Sequence, residues 1–143
     1  MGRWTWIRLQ GRHGYFTRVI AAYRPCKNEG LGTTYGQQLT YWKKKGELTD
    51  PIALFDRDLK KLLEECLQKG EQIVLGIDAN EDVRTGKIAK LTRELGMREA
   101  ILDLHQGLDP PETCSKNKQR KPIDGLFVTP GIQPTAGGYT AYG

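Results

Sequence analysis

Cysteine is scarce in this chain: Cys26, Cys66 and Cys114 are odd in number, far apart and never in CxxC spacing. That excludes a disulfide framework or a cysteine-ligated zinc site as the organising force, and fits a reducing compartment. Long apolar runs are missing too. No stretch approaches the roughly 18 residues that a membrane span needs, and the opening Met-Gly-Arg-Trp-Thr-Trp lacks the apolar centre of a signal peptide. The expectation is an intracellular protein, cytoplasmic or nuclear, with no membrane partner. A GxxxxGK[ST] phosphate loop is also absent, and Gly30-Leu31-Gly32-Thr33-Thr34-Tyr35-Gly36 has the wrong spacing for one, so it reads as a loop entering a helix.

What is present fits one soluble domain spanning 1–143. Hydrophobic residues make up 38% and charged residues 27% of 143 positions, enough apolar material for a core and too little net charge for wholesale disorder. The net charge of +5 fits an anionic partner without requiring one. Its local carriers are Lys43-Lys44-Lys45 and the run from Lys116 to Lys121, each of which also reads as solvated surface.

Periodicity lays out an α/β layered domain. Residues 4–9 alternate, residues 15–23 are aromatic and β-branched, and the glycines of Gln10-Gly11-Arg12-His13-Gly14 between them predict a hairpin. A helix is expected from about Thr33 to Lys45. A second starts at Asp50-Pro51, with Asp as N-cap and Pro at the first helical position, and closes at Gly70. Ile73 to Ile77 is short and apolar, which predicts a central strand buried on both faces. Lys87 to Leu95 returns to helical spacing with Gly96 at the stop, and Met97 to Leu104 predicts a further helical turn. A long loop from His105 to Pro122 leads to a last strand, Ile123 to Val128.

Four residues stand out chemically. Asp78 and Asn80 follow the central strand, where α/β sheets open their ligand crevices. A carboxylate there can orient a water or bind a hard cation, and an amide can donate to a phosphoryl oxygen; the competing reading is a turn-forming Asx pair. Asp78-Ala-Asn-Glu-Asp82 is not a calcium loop, because Val83 stands where Gly is needed and Ala89 where the bidentate Glu belongs. Asp124 lies in an apolar strand, where an ionised carboxylate needs a cation, and Lys121, Arg120 or a divalent metal would serve. Tyr23 ends the second strand, either as a half-buried structural tyrosine or as a functional one. For Trp4 and Trp6 the expectation is a core or interface role.

Taken in order, Tyr23-Arg24-Pro25, Val74-Leu75-Gly76-Ile77-Asp78-Ala79-Asn80 and Lys121-Pro122-Ile123-Asp124-Gly125-Leu126-Phe127-Val128 resemble three signatures of the endonuclease/exonuclease/phosphatase superfamily. That family includes DNase I, abasic-site endonucleases and the endonuclease domains of some retrotransposons. The resemblance implies a layered α/β sandwich of DNase I-like type and a phosphodiesterase dependent on Mg2+ (or Mn2+). It implies that Tyr23 contacts the scissile phosphate, Asp78 positions or deprotonates the attacking water, Asn80 stabilises the phosphorane-like charge and Asp124 orients a catalytic histidine. The implied substrate is nucleic acid, DNA before RNA, with a small phosphoester left open.

The departures set the remaining expectations. Cys26 stands where many members have Asn. The family's metal-binding Glu would precede this segment and its Ser-Asp-His would follow Gly143, while His13 and His105 occupy neither place. The domain is therefore expected to be incomplete, lacking N-terminal and C-terminal strands, and weak or inactive as a nuclease. The alternative is a non-catalytic nucleic-acid-binding or assembly module that keeps the fold. Missing outer strands also predict an exposed sheet edge that a homodimer would cover.

Overall fold

A computed structural model describes residues 3–106, 108, 113 and 121–138. Strand β1 (Trp4–Gln10) and strand β2 (Phe16–Tyr23) form the expected antiparallel hairpin. It reverses through a short 3-10 turn at Arg12–Gly14, in which His13 and Gly14 take positive φ. Helix α1 (Thr34–Lys44) follows, capped by the Thr33 hydroxyl, which accepts from Gly36 N–H at 3.0 Å.

Helix α2 (Pro51–Gln68) begins as its sequence dictates: Asp50 accepts from Ile52 N–H and Pro51 opens the first turn. Its stripe of Phe55, Leu59, Leu63 and Cys66 packs against Ile20, Ile73, Leu75 and Ile77 of the sheet. Each fully buried Leu or Phe there contributes about 1.5–3 kcal/mol over leaving it in water. Trp4 joins this core edge-on to Phe55, with ring centroids 5.6 Å apart, as expected for a core tryptophan.

Strand β3 (Gln72–Asp78) runs parallel to β2. Helix α3 (Lys87–Glu94) ends before Gly96, whose φ of 73° supports the reversal. Strand β4 (Arg98–Glu99), helix α4 (Ala100–Leu104) and strand β5 (Asp124–Val128) complete the described elements. Among the described residues these are one five-stranded mixed sheet, in the order β1-β2-β3-β5-β4, and four α-helices. The α/β class and the central place of β3 follow the sequence, and no helix of the described residues is long and apolar enough to cross a membrane.

Two expectations need correction. Met97 to Leu104 is not one helical turn. Arg98 and Glu99 first pair with β5, because one Glu99 carboxylate oxygen accepts from Leu126 N–H at 2.8 Å while the other caps α4 through Leu102 N–H at 2.6 Å. Nor is β3 buried on both faces. Ile73, Leu75 and Ile77 are sealed against the helices, whereas Gln72, Val74, Gly76 and Asp78 are half-buried. The α2 stripe meets only the first of these faces. The second carries Ile7 and Leu9, 57% and 48% exposed, beside half-buried Val19, Val74 and Leu126.

Candidate functional site

The parallel strands β2 and β3 end together, and β5 begins at the same end because it runs antiparallel to β3. Tyr23 is thereby in register with Asp78, and Asp78 with Asp124. Side chains of directly paired residues share a face, so all three lie on the second, less covered face of the sheet. Asp124 is half-buried and opens β5 instead of sitting in its middle, and Thr113 Oγ1 accepts from its N–H at 3.2 Å. Lys121 is half-buried, whereas Arg120, the other cation expected near it, lies outside the described residues, as does most of the basic run from Lys116.

Asn80 is drawn into the same cluster by a local turn. Asp78 Oδ1 accepts from Asn80 N–H at 3.0 Å, and Asn80 takes a φ of 50°, a left-handed conformation that asparagine tolerates. The turn-forming reading of this pair is therefore realised, and the turn also presents the amide. Asn80 Nδ2 donates to the Arg24 carbonyl at 2.6 Å.

The electrostatics follow from this crowding. Burial, with a contribution from the Asp124 carboxylate, pushes the Asp78 pKa above the usual aspartate value, although the Asn80 N–H opposes it. Burial likewise raises Tyr23, helped by Cys26 and Asp78 and opposed by Asn80. Asp78 is thus a carboxylate of raised basicity beside a phenol that stays protonated at neutral pH.

Beneath the cluster lies a support that motif reading missed. Arg24 is buried; its Nε and Nη2 donate to Asp56 at 2.6 and 2.9 Å, and its Nη1 lies 3.0 Å from Glu81. Arg24 N–H also donates to the Asp78 carbonyl at 2.9 Å. Glu81 in turn accepts from Ile88 N–H at 2.6 Å, supplying the cap that Gly86 cannot give α3. One arginine therefore ties the strand ends to α2 and, through Glu81, to α3. The only sequence signal was an arginine between Tyr23 and Pro25, with no hint of its partners.

The two histidines lie on elements other than those that carry the expected site residues. His13 is in the hairpin turn, and His105 caps α4 with its Nε2 2.7 Å from the Gly137 carbonyl. Among the described residues no group of three or more His, Cys, Asp or Glu is arranged to hold a metal. Cys26 is exposed and free, and Cys66 is a buried free thiol of the core.

No known family model matches this sequence, and no curated protein matches it significantly.

Proposed function

We propose that Tyr23, Asp78, Asn80 and Asp124 form the phosphate-facing part of a magnesium-dependent phosphodiesterase site acting on nucleic acid, in a domain of DNase I-like layered architecture. The observation that carries this reading is the register: three separate segments, each resembling one of the family's signatures, deliver their polar residue to the same end of the same sheet face. The exposed Ile7 and Leu9 and the half-buried Val19, Val74 and Leu126, which share this face with buried Val128, support the architecture, since a second sheet packed there would bury them.

The carboxylate of Asp124 fits magnesium, which is commonly held by one or two carboxylates together with waters and substrate phosphate oxygens. When bound, such an ion supplies charge neutralisation on the phosphate. The chain's own residues have separate tasks. Asp78 accepts a proton from an attacking water. Asn80 and Tyr23 offer an amide N–H and a phenolic O–H to phosphoryl oxygens without adding negative charge.

A second reading, a non-catalytic nucleic-acid-binding module, is favoured by the exposed Lys43, Lys44 and Lys45 at the end of α1. Incubation with labelled single- and double-stranded DNA and RNA separates the two. The enzyme reading expects cleavage with magnesium or manganese that stops with EDTA and falls by about 10²-fold or more in Asp78→Ala. Salt-sensitive binding without cleavage would support the second reading. Folded protein that neither cuts nor binds would refute both.

A further inference from the structure

We infer that two copies of this chain pair antiparallel through the outer edge of β1, with a two-fold axis passing at Ile7. Among the described residues β1 has one neighbour, β2, and every residue from Thr5 to Gln10 is exposed. The usual defences of an edge strand are absent from it: Trp-Thr-Trp-Ile-Arg-Leu-Gln has no Pro, no Lys and one charge.

The direction of its free backbone groups fixes the register. Tyr23 N–H donates to the Arg3 carbonyl and Gly11 N–H to the Tyr15 carbonyl. Arg3, Thr5, Ile7, Leu9 and Gly11 therefore face β2 with their peptide groups, and Trp4, Trp6, Arg8 and Gln10 turn theirs outward. An antiparallel partner must place outward residues opposite outward residues. A two-fold at Ile7 sets Trp4 against the partner's Gln10 and Trp6 against the partner's Arg8, so every outward N–H and C=O from Trp4 to Gln10 gains a mate.

Side-chain chemistry selects the same register. Shifting the axis to Arg8 would set two guanidinium groups opposite each other, and shifting it to Trp6 would leave Gln10 without a mate. Centred on Ile7, the strand sets Arg8, which holds Glu71 at 2.7 Å and stacks over the Phe16 ring, opposite the partner's uncharged Trp6. Trp6 accepts a cation–π contact from Arg18, 4.0 Å above its ring, and remains 48% exposed. On the opposite face the two Ile7 side chains meet across the axis, and Thr5 meets the partner's Leu9. This register mates every outward backbone group from Trp4 to Gln10 with an identical strand and keeps the one charge of each strand off its own copy, which is what names a second copy as the occupant.

The test uses the full chain. Sedimentation velocity over a concentration series should show a dimer, and Ile7→Lys, which sets two ammonium groups across the axis at an exposed position, should shift it to monomer by at least ~10-fold in Kd with unchanged circular dichroism. In a Cys26→Ser/Cys114→Ser background, Ile7→Cys should cross-link on mild oxidation, since residues at a non-hydrogen-bonded antiparallel pair lie about 4.5 Å apart between Cα atoms. Thr5→Cys and Leu9→Cys should cross-link only when combined. A chain that stays monomeric at ~100 µM, against the micromolar range of ordinary specific association, overturns the proposal. So does a dimer indifferent to Ile7→Lys, or cross-linking through Thr5→Cys alone.

Discussion

Asp78 and Asp124 face each other across the β3–β5 ladder, two carboxylates at directly paired positions on one sheet face. Like charges placed so are unfavourable to a sheet. Burial and the Asp124 charge together make Asp78 harder to ionise than an ordinary aspartate. An asparagine at 78 would form the same Asx turn without the repulsion. In the proposed site the pair would share a cation or a proton, which is why it anchors that proposal.

Elsewhere in the molecule a carboxylate is buried to the opposite effect. Glu71 is enclosed by Arg8 and Arg18, with contacts of 2.7 and 2.8 Å. Burial pushes its carboxyl up, but the bonds and charges of Arg18 and Arg8 outweigh this and hold it below the ordinary 4.5. A depressed folded pKa contributes stability that is complete above the unfolded value and is lost as pH falls through the folded one. Glu71→Gln should therefore unfold about 3 kcal/mol more easily at pH 7, with the difference shrinking below pH ~4. Urea titrations at pH 3, 5 and 7 measure it; an equal deficit at all three would remove the ionic account.

Arg24 should be the most sensitive charged position under the site. Arg24→Met leaves Asp56 and Glu81 without their shared cation, and loss of one member of a buried ionic cluster costs about 3–5 kcal/mol. Asp56→Asn should cost less, since Glu81 still faces the guanidinium. A double-mutant cycle on Arg24 and Asp56, read by chemical denaturation, should give a coupling above about 1 kcal/mol; additive effects would show that Asp56 is incidental.

Gly36 in the first turn of α1 is a steric requirement. A Cβ there would run into the carbonyl oxygen of Gly30 and lie 2.9 Å from that of Glu29, and both obstacles are backbone. Gly36→Ala should destabilise by about 1–3 kcal/mol despite alanine's better helix propensity. Gly32→Ala, with open space around the added methyl, is the control and should change the melting temperature little.

How much of this was legible depended on range along the chain. Helix α2 could be read from Asp50, Pro51 and its apolar stripe, because caps and amphipathic spacing are local. The hairpin was legible for the same reason. Strand β4 was not: two residues carry no periodicity, and the Glu99 side chain that caps α4 locally through Leu102 also reaches Leu126, 27 positions away. The face of β3 that stays half-open was hidden as well, since Val74 and Gly76 look as apolar as Ile73 and Leu75. Motif resemblance picked out Tyr23, Asp78, Asn80 and Asp124. Their meeting at one strand end rests on ladder pairings that no single segment encodes, and Arg24's grip on Asp56 spans 32 positions.

The sharpest test of the site is a substitution expected to help the fold while harming the chemistry. Asp78→Asn keeps the acceptor for Asn80 N–H and removes the charge that faces Asp124. A folded aspartate pKa raised above its ordinary 3.8 means that the native state binds more protons than the unfolded chain just above that pH, so stability declines as pH rises through the window and stays lower above it. Asp78→Asn should therefore melt about 2–4 °C higher than the parent at pH 7–8, and this advantage should vanish below pH ~4 as Asp78 itself takes up a proton. Any metal-dependent cleavage should fall by at least ~10²-fold in the same variant. Stability gained with activity lost is the signature of a residue kept for function. A variant that is less stable at neutral pH would instead make Asp78 a structural turn residue.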